Sequence, residues 1–153
     1  MHIKQITPIT AGQIRRGGYS SPYDQHLGIS PTRDFFSDNE RSTITVIPPD
    51  VALNPHACVH GGYVASVLDT GTGYAAYSNQ PGSLDDKEYA LTSSLNVEFN
   101  APVFSGQTYT CEGKIIGREG NNIRTKATLT DDKGIQVASA TALIKARRTD
   151  YRV

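Results

Sequence analysis

Asp69 stands apart in this sequence. From position 51 to position 84 it is the sole Asp, Glu, Lys or Arg. Asn54, His56, Cys58 and His60 precede it, with Gly61 and Gly62 following the second histidine. A carboxylate, two imidazoles, a carboxamide and a thiol supply bases, nucleophiles and hydrogen-bonding groups. His60-Gly61-Gly62 reads as a tight turn, because glycine permits close approaches that other residues resist. Val64, Val67, Leu68, Gly71 and Ala75 then recur at helical spacing, so the turn opens a helix. The first N–H groups of a helix lack intrahelical acceptors and lie at the positive end of its dipole. Such a group is a natural donor to an oxygen on which negative charge grows.

At about 100° per residue, Asp69 points away from that apolar stripe, among Ala65, Thr72, Gly73 and Ala76. A solvated helix face normally carries several charges. This one carries small residues and a single carboxylate. Spacing alone leaves two readings open: a catalytic carboxylate on a central helix, or a core helix with one surface Asp.

Asn54, five residues, His60-Gly61-Gly62, six residues and Asp69 together resemble the hotdog-fold acyl-CoA thioesterases of the phenylacetic acid degradation type. The resemblance covers residues 27–147. It departs from the family pattern at Ala57, where a Gly is often found; a positive φ there would strain an alanine. The resemblance implies that the Gly61 N–H polarises a thioester carbonyl. Asp69 then acts as nucleophile or as base toward water. Asn54 orients water or the carbonyl, or else closes an Asx-turn before Pro55. His60 polarises the carbonyl or holds the loop. Thr92 lies where the family often has a Ser or Thr that positions the water. Gly62, Cys58 and Tyr63 are expected beside the substrate. His56 reads as structural or pocket-lining, and Cys58 lacks the basic partner a nucleophile needs. Tyr63, Tyr74 and Tyr77 line an acyl pocket or fill the core. Arg118, Arg124, Lys145, Arg147 and Arg148 meet CoA phosphates or are solvated strand ends.

These residues need a helix over 61–77 and a sheet around it. Asn79, Pro81 and Gly82 end the helix. Gly71 and Gly73 inside it each cost about 1 kcal/mol relative to Ala, so it requires packing on all sides. Strands are expected at 29–36 and 42–47, the latter ended by Pro48-Pro49. In 91–103 the odd positions are mostly apolar and the even ones polar, which predicts a strand with its odd residues buried and Thr92 on the polar face. Further strands are expected at 108–116, 123–129 and 135–146, joined by turns at 118–122 and 131–134. The order implies an antiparallel α+β domain, and the resemblance implies the hotdog fold, a curved antiparallel sheet wrapped around a long central helix. Residues 1–26 read as a weakly structured arm with at most one short helix near 10–16, residues 27–148 as the domain, and 149–153 as a tail.

Composition narrows the partners. Fifteen Lys and Arg balance fifteen Asp and Glu among 153 residues. A pI near 6.9 gives no electrostatic case for nucleic acid or an anionic membrane. No apolar run approaches the roughly 20 residues of a membrane span. Two cysteines make no disulfide scaffold and no metal-ligand pattern surrounds them. The expectation is a cytoplasmic hydrolase that takes acyl-CoA and needs no metal or cofactor, CoA being part of the substrate. Alternatives are a non-catalytic acyl-CoA-binding protein and a hydratase or dehydratase on the same fold. Helix geometry predicts a homodimer with shared sites, and the resemblance extends this to a dimer of dimers.

Overall fold

The computed structural model describes residues 8–17, 21–31 and 42–149. Its longest helix, α3, runs Gly61–Tyr77, as the turn before it and the Pro-Gly after it require. Two short helices, α1 (Ala11–Gly17) and α2 (Pro22–Leu27), precede it. The strands are β1 (Ser30–Pro31), β2 (Ser42–Val46), β3 (Glu88–Phe99), β4 (Tyr109–Glu119), β5 (Asn122–Thr130) and β6 (Gln136–Arg148). They form one antiparallel sheet in the order β1-β2-β4-β5-β6-β3. The sheet curves around α3, which packs against β2 through β6: this is the hotdog fold. Of the strand expected at 29–36, β1 covers 30–31, Ile29 precedes it, and 32–36 lie outside the described residues, as do residues 150–153 of the expected tail.

Val64, Val67 and Leu68 of α3 are buried against Ile44, Cys111, Ala127, Leu129 and Ala140 of the sheet. Gly71 is what allows the close approach. A Cβ there would lie 2.5 Å from Cys111 Sγ, and one at Gly113 on β4 would collide with the Gly71 carbonyl. The helix-propensity loss at Gly71 is thus the condition for helix and strand to touch. Burial pushes the Cys111 thiol up to about 12. Gly73 differs: a Cβ there would meet nothing within 4 Å.

Among the described residues of the expected arm there are two short helices rather than at most one. The helix anticipated near 10–16 is α1. Ala11 and Ile14 are buried, and Arg15 reaches the end of α3. Its guanidinium donates to the carbonyls of Tyr77 (3.0 Å), Ser78 (3.1 Å) and Leu84, and pairs with Asp86 at 3.0 Å. These include carbonyls that α3 leaves without partners at its C-terminus. The second helix, α2, was not expected. Ser21 caps it by accepting from the Asp24 N–H, Pro22 opens it, and Gly28 ends it at φ +70°. A polar seam fastens it to α3. Thr70 donates to Asp24 Oδ1 at 2.9 Å and Tyr74 to Oδ2 at 3.3 Å. Tyr63 donates to the Leu27 carbonyl at 2.9 Å, and Tyr23 and Ser66 share a hydrogen bond of 2.8 Å.

β3 departs from the expected alternation. Thr92 pairs with Ile144 and Ser94 with Leu143, so Ser93 is an extra residue, a β-bulge. An inserted residue reverses the two faces of a strand. Before the bulge the even positions Glu88 and Ala90 are turned inward, and Leu91 is 51% exposed. After it Leu95 and Val97 pack on the core. The expectation that Thr92 lies on the polar face is corrected: the bulge turns it toward α3.

Candidate active site

Residues 52–60 form a closed loop that delivers the start of α3. Leu53 and Val59 pair as an isolated bridge, the His60 N–H donates to the Ala52 carbonyl at 2.7 Å, and the Val59 N–H to the Val103 carbonyl at 2.7 Å. Inside the loop, Asn54 is the organiser. Its Oδ1 accepts from the N–H of His56 (2.8 Å) and of Cys58 (3.4 Å), while Nδ2 donates to Cys58 Sγ at 3.2 Å. This is the Asx-turn arrangement, and it places the Asn54 carboxamide in the loop's own framework. Ala57 has φ +61°, the one positive φ at a non-glycine among the described residues. The family's usual glycine at this position is thereby explained, and the alanine is strained.

His60 is the N-cap of α3. Its Nδ1 accepts from the Gly62 N–H at 2.8 Å, so that nitrogen carries no proton in this arrangement. Tyr63 N–H turns back to the His60 carbonyl. Among the described residues no acceptor meets the Gly61 N–H. The imidazole therefore satisfies one end-of-helix donor and leaves the neighbouring one available.

Two recesses flank this end of α3. One, of about 350 Å³, is lined by Cys58, Val59, Gly61, Val64 and residues 99–103. A Cβ at Gly61 would lie 3.4 Å from the edge of the Phe99 ring. The other, of about 320 Å³, is lined by Tyr23, His26, Leu27, His60, Gly62 and Tyr63 together with Pro49 and residues 51–53. Tyr63 is buried, which raises the pKa of its phenol, and its hydroxyl is held by the Leu27 carbonyl. Tyr74 and Tyr77 are chiefly structural: the Tyr77 hydroxyl accepts from the Ala90 N–H at 2.8 Å.

Asp69 lies further along the same helix, half-buried. Thr92 Oγ1 donates to its Oδ1 at 2.8 Å. Thr92 and Asp69 are thus brought together, as are Asn54, Cys58, His60, Gly61 and Gly62, but the two groups are separate. Positions 61 and 69 are about 12 Å apart along the axis at 1.5 Å per residue. The Phe99 ring was not singled out in the sequence; its position one residue before Asn100-Ala101-Pro102, at the end of β3, was the available signal. Among the possible CoA-binding cations, Arg118 donates from Nη2 to both Glu88 carboxylate oxygens at 3.0 and 3.1 Å, from Nη1 to the Ser83 carbonyl and from Nε to the Gly120 carbonyl, so its fork is occupied. Among the described residues no three His, Cys, Asp or Glu side chains cluster as a metal site would require. No described helix is long and apolar enough to cross a membrane.

No curated protein matches the sequence. Among solved structures, the PaaI protein of E. coli, from the phenylacetic acid degradation operon, superposes with a TM-score of 0.74 at 21% identity over 92% of this chain and 96% of that one. A thioesterase family protein from Silicibacter pomeroyi gives a TM-score of 0.75 at 22% identity, covering 90% of this chain and 98% of that one. A Streptococcus mutans protein bound to acetyl-CoA gives 0.63 at 20% identity, covering 71% and 82%. These likenesses are of fold. The family model of the thioesterase superfamily matches residues 56–138, which span the second half of the loop, α3, β3 to β5 and the start of β6, and the chain belongs to that superfamily.

Proposed function

We propose that the protein hydrolyses acyl-CoA to the free acid and CoA, at two sites shared across a twofold dimer. Each site would join Asn54, His60 and Gly61 of one subunit to Asp69 of the partner subunit and Thr92 of the partner subunit. The observation that carries this reading is the division of the machinery along α3. A free N–H stands at one end and a Thr-bound carboxylate about 12 Å away, whereas reacting atoms must come within roughly 3–3.5 Å. Two antiparallel copies of α3 about a twofold axis bring each carboxylate to the other's N-terminus. Of the face expected around Asp69, Ala65 and Gly73 are half-buried like Asp69 itself, with open space beside Gly73, and are available to a partner, whereas Thr72 and Ala76 are already buried within the chain. β3 ends the sheet, with Leu91 and Phe99 exposed at 51% and 58%, an edge that a second copy can cover.

In this reaction the thioester oxygen accepts from the Gly61 N–H, which stabilises the charge developing on it. The carboxylate either removes a proton from water as the water attacks the carbonyl carbon, or attacks that carbon itself to give a mixed anhydride that water then cleaves. The C–S bond breaks, the sulfur takes a proton, and CoA departs. The Thr92 hydroxyl orients the carboxylate through Oδ1. Helix dipole and backbone N–H supply the electrophile, so the proposal requires no metal or other cofactor. The acetyl-CoA held by the Streptococcus mutans structure supports the substrate class.

Release of free thiol from a series of acyl-CoAs tests this directly. Asp69→Asn retains the shape and removes the base, so kcat is expected to fall by about 10²–10⁴ with acyl-CoA binding retained. A variant keeping more than half the rate refutes the mechanism. Tight binding by the wild type without any turnover makes the protein a non-catalytic acyl-CoA binder.

A further inference from the structure

The two glycines at the start of α3 have different jobs. Nδ1 of His60 accepts from the Gly62 N–H at 2.8 Å. A Cβ at Gly62 would lie 3.0 Å from that nitrogen and 3.4 Å from Cε1 of the same ring. The second glycine is therefore what lets the imidazole come so close to the first turn, and the first glycine keeps the N–H that the ring does not take. We propose that His60 is a positioning residue: its neutral imidazole caps Gly62 and so leaves the Gly61 N–H free and fixed for the thioester oxygen, and protonation of the ring switches hydrolysis off. This rests on the thioesterase reading above.

A neutral imidazole has one nitrogen that accepts and one that donates, whereas both nitrogens of the charged ring are donors. With Nδ1 accepting, the ring proton is on Nε2. Acid adds its proton at Nδ1, and the Gly62 N–H then faces another donor. The same proton puts a positive charge at the positive end of the helix dipole, where a cation is disfavoured. Both effects drive the ring off Gly62. Gly61 lies between the capping residue and the capped one, so a shift of either turns its N–H, and a misplacement of about 1 Å can cost about 10²-fold in rate. The titratable groups that face the ring across the adjoining recess are Tyr23 and His26 of α2 and Tyr63 of α3; Pro49 and residues 51–53 bring none. A charged His26 opposes a second charge on His60, whereas in the proposed dimer Asp69 of the partner subunit favours it. On the other side of Gly61 lies the Cys58 thiol, engaged by Asn54.

The test has two readouts. Isotope-labelled protein is followed by NMR through a pH titration, and kcat and KM for a hydrolysed acyl-CoA are measured over the same range, with thermal unfolding recorded at each pH. His60→Asn keeps an N-cap acceptor and does not titrate, and His60→Ala has no acceptor. The Gly62 amide resonance is expected to move with the His60 ring. Wild-type kcat should fall as pH drops through that same titration while KM changes by less than about threefold, because the Gly61 bond strengthens in the transition state. In His60→Asn the acid limb should move to lower pH, where the Asp69 carboxylate is left to be protonated. His60→Ala should lose about 10²-fold in kcat, of which His60→Asn recovers about tenfold. His26→Asn should keep an acid limb that follows the His60 ring. A limb that stays in place in His60→Asn, a limb that vanishes in His26→Asn, equal rates in the Asn and Ala variants, or a Gly62 amide indifferent to the ring each overturn the proposal. A wild type silent on every acyl-CoA removes the thioesterase reading instead, while the Gly62 titration still upholds or overturns the cap.

Discussion

Two inactive variants of this protein should restore each other. Asp69→Asn removes the carboxylate from one end of α3. Asn54→Ala removes the three polar contacts that shape the loop at the other end, to His56 N–H, Cys58 N–H and Cys58 Sγ. At roughly 1 kcal/mol net per neutral hydrogen bond, the second change costs about 2–3 kcal/mol of loop stability and displaces Gly61. In a dimer whose sites each draw on both chains, a mixed dimer concentrates both lesions in one site and leaves the other intact. Random pairing of equal amounts makes about half the dimers mixed, each with one working site of two, so co-refolding should return about a quarter of wild-type thiol release. The parents alone should stay near their residual rates. Two different affinity tags, captured in succession, show that mixed dimers have formed. The reasoning is refuted if doubly tagged dimers are present and their activity does not exceed the mean of the parents. Each site would then be built within one chain, and the roughly 12 Å between Gly61 and Asp69 would have to close by movement of α3.

Ala57→Gly should raise stability. Relief of φ +61° is worth about 1–2 kcal/mol and the added freedom of the unfolded glycine removes about 0.4–1, leaving a gain near 0.5–1 kcal/mol, readable as a small rise in Tm. Thr125→Val should also stabilise, by about 1 kcal/mol in urea unfolding, because the fully buried Thr125 Oγ1 has no hydrogen-bond partner among the described residues. A loss instead would mean that a water or another group satisfies that hydroxyl. Thiol release should survive EDTA, and Cys111, buried with its pKa pushed up to about 12, should resist alkylation at neutral pH until the protein unfolds, as intact mass would record.

Much of this was legible in the chain because its signals were local. The glycines at 61–62 and the Pro-Gly at 81–82 bracket α3, and turn residues separate β4, β5 and β6. The bulge at Ser93 was hidden because serines flank the reversal, so the apolar and polar alternation of 91–99 reads unbroken although its inward face changes. The alternation therefore puts Thr92 on the polar face, whereas the bulge turns it toward Asp69. α2 displayed its cap, its proline and its closing glycine, but six residues are too few to establish helical periodicity. Asn54 left two readings open, and hydrogen-bond geometry favours the Asx-turn. The identity of the candidate site residues followed from spacing and resemblance. Their division into two groups followed from the rise of a helix, which needs no knowledge of the sheet.

The Arg15 clamp has a consequence for the order in which the molecule assembles. Its carbonyl and carboxylate partners lie 62 to 71 residues later in the chain. During synthesis α1 emerges before α3, finds its first partner only when Tyr77 has left the ribosome, and completes the clamp only when Asp86 has followed. Seven residues are too few for a helix to persist alone in water, so α1 should acquire lasting order only after α3 has its C-terminal end in place. Closing so long a loop early is disfavoured by chain entropy, which makes α1 among the last segments to dock and among the first to detach. Its amide hydrogens should exchange through this local opening, faster than those of β5 and at a rate that Arg15→Lys increases while β5 is unaffected. The protein would thus pass through a state in which sheet and central helix are built while the carbonyls at the end of α3 still bind water.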